Sequence, residues 1–291
     1  MEPQSITLAQ KDAVDRLRRQ YGHGSASHAF QSLYIWQEDM KLNLYLTDEM
    51  FAVKTGIRGE NAWFFPCGGE DAKRKFLKSH MDEQDFSLCY VRQEDAEWTE
   101  KHFPGKFSFW SEPTESEYLY RRSEQEDMPG RRFSKLRNHW NRAVRDHHLE
   151  AVSLNEKNIY SAIQITEEWE LTHHQTGILG IRDEKASLNL LKDWEKLDLI
   201  GILLFVDGEP FAMTAGFCLT EDSFDLCMAK QREKLPGISV YAKWALYRIL
   251  PDYIRTINAE EDMGIEGLRM MKRQMQPAGM IEMYNGRTKA E

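Results

Sequence analysis

The stretch Asn258-Ala259-Glu260-Glu261-Asp262-Met263-Gly264-Ile265-Glu266-Gly267-Leu268-Arg269-Met270-Met271-Lys272 holds the residues best suited to chemistry. Three successive carboxylates end a strand-like run and lead through Gly264 into a helix-like run. Ile265, Leu268 and Met271 or Met275 supply that helix with an apolar stripe, which leaves Arg269 and Lys272 directed at neighbours. Carboxylates facing two cations one or two turns on suit a site that orients a nucleophilic amine or hydroxyl and neutralises a developing oxyanion. In the purely structural alternative, Asp262 caps the helix and the acids favour its positive end.

A second concentration is cationic. Arg131, Arg132, Lys135, Arg137, Arg142 and Arg145 fall in fifteen residues without an acid, although acids outnumber bases 47 to 38 overall. On a helix, Arg131, Lys135, Asn138, Arg142 and Arg145 share one side, and Phe133, Leu136, Trp140 and Ala143 another. Such a face either pairs with acids of neighbouring segments or binds phosphate or an RNA backbone, for which Arg offers bidentate donors. This helix opens on Pro129-Gly130. A second Pro-Gly pair, Pro236-Gly237, follows Gln231-Arg232-Glu233-Lys234-Leu235 and opens another helix-like run. A turn presenting backbone N–H groups at a helix start is a ready-made anion site. The repeat is read as the mark of two related domains.

These segments must be positioned by a chain of 291 residues, enough for two ordinary domains. A net charge of -9 argues against general adhesion to nucleic acid or anionic membrane, so anion recognition must be local. The longest apolar run, 199–206, is far short of the roughly 20 residues that span a bilayer, and the N-terminus has no signal region. A cytoplasmic protein without an integral membrane segment is expected. Cys67, Cys89, Cys218 and Cys227 lack the spacing of a zinc site, and the adjacent pairs His147-His148 and His173-His174 diverge on a helix, so no metal is expected. His139 reads as a surface residue or a general base, Trp169 as core, and Asp207-Gly208 as a hairpin turn.

In the second half, helical periods at Ile159, Ile163, Thr166 and Trp169, and at Ala186, Leu190, Trp194 and Leu197, precede strands over 200–206, 211–219 and 224–228. The Pro-Gly helix, a strand over 256–258, a helix over 265–275 and a closing strand around 280–284 follow. The first half runs in parallel: helices over 8–20, 71–80 and 94–101, and strands over 42–46, 50–55, 62–65, 86–91 and 118–120. This order is α+β and is that of the GNAT acyltransferase fold, with domains at 1–150 and 151–291. The place of that fold's pyrophosphate loop, usually Gln/Arg-x-x-Gly-x-Gly/Ala, holds residues 231–237, whose spacing differs and where Pro236 removes a donor.

Tyr118-Leu119-Tyr120, Met128-Pro129-Gly130, Lys135-Leu136-Arg137-Asn138-His139 and Asn258-x-Glu260-Glu261-Asp262-x-Gly264-x-x-Gly267-Leu268-Arg269-x-x-Lys272 resemble the family of the phosphatidylglycerol lysyltransferase C-terminal domain. Lys230 and Pro236-Gly237 sit where that family has a Lys before a Gly-containing turn. The resemblance implies tandem GNAT-like domains akin to Fem-type aminoacyl transferases. It also implies an aminoacyl-tRNA donor and a motif, Glu261, Asp262, Arg269 and Lys272, beside the acceptor and donor ester. Arg131, Lys135, Arg137, Arg142, Lys230, Arg232 and Gly237 are then the residues expected to hold donor phosphates, with Arg137 facing Lys272 across a cleft. The lipid-modifying members carry a long membrane region that this sequence does not show, so the expected acceptor is a small molecule or lipid-headgroup-like amine or hydroxyl. The expected activity is aminoacyl or acyl transfer. The rivals are an N-acetyltransferase using a coenzyme A thioester and a non-catalytic protein that binds a nucleotide or partner.

Overall fold

The computed structural model describes residues 2–172 and 184–289; the His173-His174 pair lies outside the described residues. In chain order the elements are α1 (Lys11–Gln20), α2 (Phe30–Trp36), β1 (Leu42–Leu46), β2 (Met50–Thr55), β3 (Ala62–Phe64), β4 (Cys67–Gly68), α3 (Glu70–His80), β5 (Ser87–Arg92), α4 (Gln93–His102), β6 (Phe107–Ser111) and β7 (Glu117–Arg121). There follow α5 (Arg122–Asp127), α6 (Ser134–Asp146), β8 (Leu149–Ser153), α7 (Ile159–Thr172), α8 (Glu184–Lys192), β9 (Leu199–Val206), β10 (Glu209–Cys218) and β11 (Ser223–Gln231). The chain ends with α9 (Ile238–Ile249), β12 (Thr256–Asn258), α10 (Glu266–Gln274), β13 (Gly279–Ile281) and β14 (Met283–Thr288).

The chain forms two compact units, Met1–Glu117 with Ile281–Glu291, and Tyr118–Met280. Each holds one mixed sheet, ordered β1-β2-β3-β5-β14-β6 in the first, with β4 on β2, and β13-β7-β12-β11-β10-β9-β8 in the second. In both, an antiparallel meander leads through a helix to a parallel partner: β3, α3 and β5 in the first unit, β11, α9 and β12 in the second. This is the GNAT-like α+β arrangement. The hairpin between β9 and β10 turns at Asp207-Gly208, both left-handed, as a two-residue turn of that kind requires. The Asp207 carboxylate does more than turn the chain, because it also accepts hydrogen bonds from His148 N and His147 Nδ1, both at 2.8 Å. The unbroken apolar run of β9 fits a strand buried between two neighbours. Trp63, Phe76, Phe86 and Phe107 build the first core, and Tyr120, Phe133, Phe224 and Leu246 the second.

The division of the chain differs from the one expected. The boundary placed near residues 149–155 falls inside the second unit, where β8 pairs with β9 from Leu149↔Val206 to Ser153↔Ile202. β7, read as part of the first half, completes the second sheet beside β12, with Ile257↔Tyr120. The closing strand breaks between β13 and β14, and β14 inserts between β5 and β6 of the first sheet. The first sheet thus receives an interior strand from the far end of the sequence, and the second takes as an interior strand the segment that opens its unit. An inserted strand satisfies its backbone on both sides and removes two open edges, but its short alternating pattern carries no signal of which sheet it joins.

Both Pro-Gly turns lie in the second unit, so they do not mark two related domains. In the first unit the corresponding place, between β3 and α3, holds residues 65–69, which include the short strand β4. The two Pro-Gly helices, α6 and α9, instead pack together: Trp140 stands 5.5 Å from Trp244 and 6.1 Å from Tyr241 between ring centroids. Gly237 permits this approach. Its φ is +87°, and a Cβ there would sit 2.0 Å from the His139 carbonyl oxygen. Gly237→Ala is therefore expected to lower stability by at least about 2 kcal/mol, combining overpacking with left-handed strain. Gly267→Ala, where a Cβ meets nothing within 4 Å, should change it by less than about 1 kcal/mol. Urea titration of the two variants checks both; equal stabilities would refute the packing role.

Candidate functional site

Between β12 and α10 the chain makes a loop of residues 259–265 in which three residues adopt left-handed backbone, Glu260 (φ +55°), Met263 (φ +50°) and Gly264 (φ +75°). Only the last is a glycine. Such strain persists where surroundings over-determine it, and they do so here. Asn258 Oδ1 accepts from Glu260 N at 2.8 Å, and β7 brackets the loop start through Tyr118 N donating to Glu260 O and Ala259 N to Tyr118 O, both at 3.0 Å.

Asp262 is the anchor. Its side chain is 1% exposed and accepts four hydrogen bonds: Tyr118 OH at 2.7 Å and Arg269 Nε at 2.9 Å on Oδ2, Arg269 Nη2 and Gly264 N at 2.9 Å on Oδ1. Burial alone would raise its pKa, but the Arg269, Tyr118 and Gly264 bonds outweigh this and hold it below the usual carboxylate range. With every lone-pair direction engaged, Asp262 positions the Arg269 fork and has no capacity left to take a proton. The Arg269 side chain itself is 32% exposed.

Lys272 is buried on α10, and its ammonium donates to the carbonyls of Ala259 and Glu261. Two of its three donors are thereby used. Burial pulls its pKa down, while Glu260, Glu261, Asp262 and Asp225 pull back without cancelling. Tyr120 OH donates to the Lys272 carbonyl at 2.8 Å, so β7 fixes both ends of the arrangement. The structure thus brings together Glu261, Asp262, Arg269 and Lys272, gives a role to Tyr118 and Tyr120 of the β7 motif, and adds Asp225, which the sequence did not single out.

The residues expected to hold donor phosphates are dispersed. Lys230, buried on β11, pairs with Glu170 at 3.4 Å and lies 3.4 Å from the Trp169 ring centroid; Arg232 meets Glu168 at 2.9 Å. α7 has therefore already neutralised both. Arg137 donates to the Met128 and Gly130 carbonyls and ties down the first Pro-Gly turn. Gly237 serves helix packing. On the cationic helix Arg132 pairs with Glu124, Arg142 and Arg145 with Asp146, while Arg131 and Lys135 are exposed without an ion pair among the described residues.

The model of the phosphatidylglycerol lysyltransferase C-terminal family matches residues 18–285. Among solved structures, a conserved protein of unknown function from Bacteroides thetaiotaomicron is 25% identical, with 99% of this chain and 100% of that one covered at a TM-score of 0.90. L-PGS from Bacillus licheniformis, 14% identical, matches over 100% and 95% at 0.70, and FemX, 7% identical, over 99% and 98% at 0.61; these two show likeness of fold. No curated protein matches the sequence. No helix among the described residues is long and apolar enough to cross a membrane.

One buried cation beside the site stands apart. Lys243 of α9 touches only sulfur, Met271 Sδ at 3.3 Å and Met275 Sδ at 3.6 Å, and no carboxylate among the described residues is set against it. Burial, with the Lys272 charge, lowers its pKa to about 8. The folded state then binds fewer protons than the unfolded chain between about pH 8 and the free-lysine value of about 10.4, so stability rises with pH across that window and the penalty is complete below it. Lys243→Met is expected to stabilise the protein at pH 7 by on the order of 2 kcal/mol and to flatten stability between pH 8 and 10. Denaturant titrations at pH 7 and 9.5 check this; a less stable variant at pH 7 would refute the assignment.

Proposed function

The chain belongs to the phosphatidylglycerol lysyltransferase C-terminal family, and from that premise we propose that it transfers an aminoacyl or acyl group from a phosphate-bearing donor to an amine or hydroxyl acceptor at the β12–α10 loop. The observation that carries this reading is the pairing of a buried ammonium, Lys272 on two loop carbonyls, with a guanidinium aimed by a saturated carboxylate, Arg269 on Asp262. Positive charge fixed before a reaction is the arrangement that stabilises a developing oxyanion.

In this mechanism the acceptor attacks the donor's ester or thioester carbonyl, forming the new bond to the acyl carbon. Glu261, partly exposed on the loop, orients the acceptor and takes its proton. The outer edge of Arg269 and the third Lys272 donor meet the carbonyl oxygen as it becomes anionic. Collapse breaks the bond to the donor oxygen or sulfur, and the proton held by Glu261 passes to that leaving group. The exposed Arg131 and Lys135 guide donor phosphates, whether of an aminoacyl-tRNA or a coenzyme A thioester. The acceptor is a small molecule or lipid-headgroup-like group.

Arg269 and Lys272 also hold the loop, so their removal confounds chemistry with folding. Glu261→Gln separates the two. It is expected to lower the rate constant of transfer by about 10²–10⁴-fold while moving the melting temperature by no more than a few degrees. The assay follows labelled acyl transfer from charged tRNA and, in parallel, from acyl-CoA, each with amine and hydroxyl acceptors. A fully active variant would remove Glu261 from the mechanism, and a wild-type protein inert with both donors would sink the transferase reading.

A further inference from the structure

The first unit contains a cavity that the transferase reading leaves unused. Its volume is about 880 Å³, within the size range of small-molecule sites, and β5, β6 and β14 form its floor. Alternation puts the relevant side chains on one face of this sheet. Arg287 lies opposite both Ser87 and Ser108, and Asn285 opposite Trp110, while Leu88, Phe107, Phe109 and Tyr284 turn to the core on the other face.

The lining has three properties that together describe a ligand. First, it is cationic. Arg287 and Lys289 are exposed and form no ion pair among the described residues, and one carboxylate, Asp85, also borders the space. Arg58 is already neutralised by Glu115 and stacks 5.4 Å from the Tyr90 centroid, so it stiffens the wall. Second, it has an aromatic platform. Trp110 is 44% exposed, unusual for an indole in a sheet, with Arg287 at 5.9 Å from its centroid. Third, it contains an unmet hydrogen-bonding demand. Asn285 is only 7% exposed, yet its side-chain oxygen has no hydrogen-bond partner. A buried acceptor left unsatisfied is destabilising and is retained where something else satisfies it.

We propose that this cavity of the first unit binds a free adenine nucleotide. The phosphate meets Arg287 and Lys289, the base stacks on Trp110, and its exocyclic amine donates to Asn285. The Asn amide matches adenine in particular, since it can accept from the amine and donate to a ring nitrogen. Anion charge selects the phosphate, and the indole excludes a bare inorganic ion as the full occupant. The site shares no residue with the β12–α10 loop, so it stands or falls independently of the transferase reading.

Isothermal titration with AMP, IMP, adenosine and inorganic phosphate tests it, using the full chain. AMP is expected to bind saturably at sub-millimolar concentration. IMP, which presents a carbonyl where adenine has its amine, should bind at least tenfold more weakly, and Arg287→Gln and Trp110→Ala should each weaken AMP at least tenfold with melting temperatures near that of the wild type. Both side chains are exposed, which keeps the variants folded. Absence of AMP binding at millimolar concentration overturns the proposal. So does inorganic phosphate binding as tightly as AMP, equal affinity for AMP and IMP, or binding unchanged in both variants.

Discussion

A single buried carboxylate organises the second unit's candidate site. Asp262 accepts from a tyrosine, a guanidinium fork and a backbone N–H at once, and each bond fixes a different element: β7, α10 and the loop itself. Removing any one donor would leave a buried charge under-satisfied, which is costly in a medium of low polarity. The arrangement is therefore close to all-or-none. Because Tyr118 and Tyr120 come from β7, insertion of that strand beside β12 is a precondition of the site as well as of the sheet. Fold and site are completed by the same step.

The charges around this anchor are not arranged for stability alone. Lys272 has two carbonyls and a field of acids to compensate its burial, whereas Lys243 has two thioethers and a like charge. Non-glycine residues in left-handed backbone, Glu260 and Met263, add strain in the same few residues. A region selected only for packing would replace such features with apolar side chains and relaxed turns. Two buried lysines and two strained residues at or beside one loop are the physical reason for placing the chemistry there.

How much of this was legible in the sequence depends on the range of the interaction involved. Local periodicity read α10, α9, the β9–β10 hairpin and most first-half strands correctly, because each is set by its own residues. The short runs of α2 and α5, and β6 and β8, left no comparable trace. The acidic loop with Arg269 and Lys272 was visible as a charge pattern, and the structure brings those residues together. The cationic residues divide: Lys230 and Arg232 are paired with Glu170 and Glu168 of α7 and Arg137 is held by two backbone carbonyls, whereas Arg131 and Lys135 are exposed. A sequence displays charges; it does not display which are already neutralised. The repeated Pro-Gly dipeptide misled in the same way, since recurrence suggested duplication where the two helices in fact pack on each other.

The duplication that does exist explains why one unit carries the candidate loop. In the first unit β5 ends at Arg92 and α4 begins at Gln93, and the corner is closed by an Arg–Asp fork, Arg92 Nε to Asp95 Oδ2 at 2.8 Å and Nη2 to Oδ1 at 3.1 Å. In the second unit the equivalent corner is also closed by a buried Asp and a bidentate Arg, but residues 259–265 stand between β12 and α10. The fork in the first unit ties a helix directly to its strand. With the loop interposed, the same chemistry holds open a stretch of backbone whose carbonyls can carry an ammonium and whose acids face outward in part. A device that elsewhere merely turns the chain has here been lengthened into one that presents charge, and that difference, rather than the shared fold, is what a functional reading of the second unit must rest on.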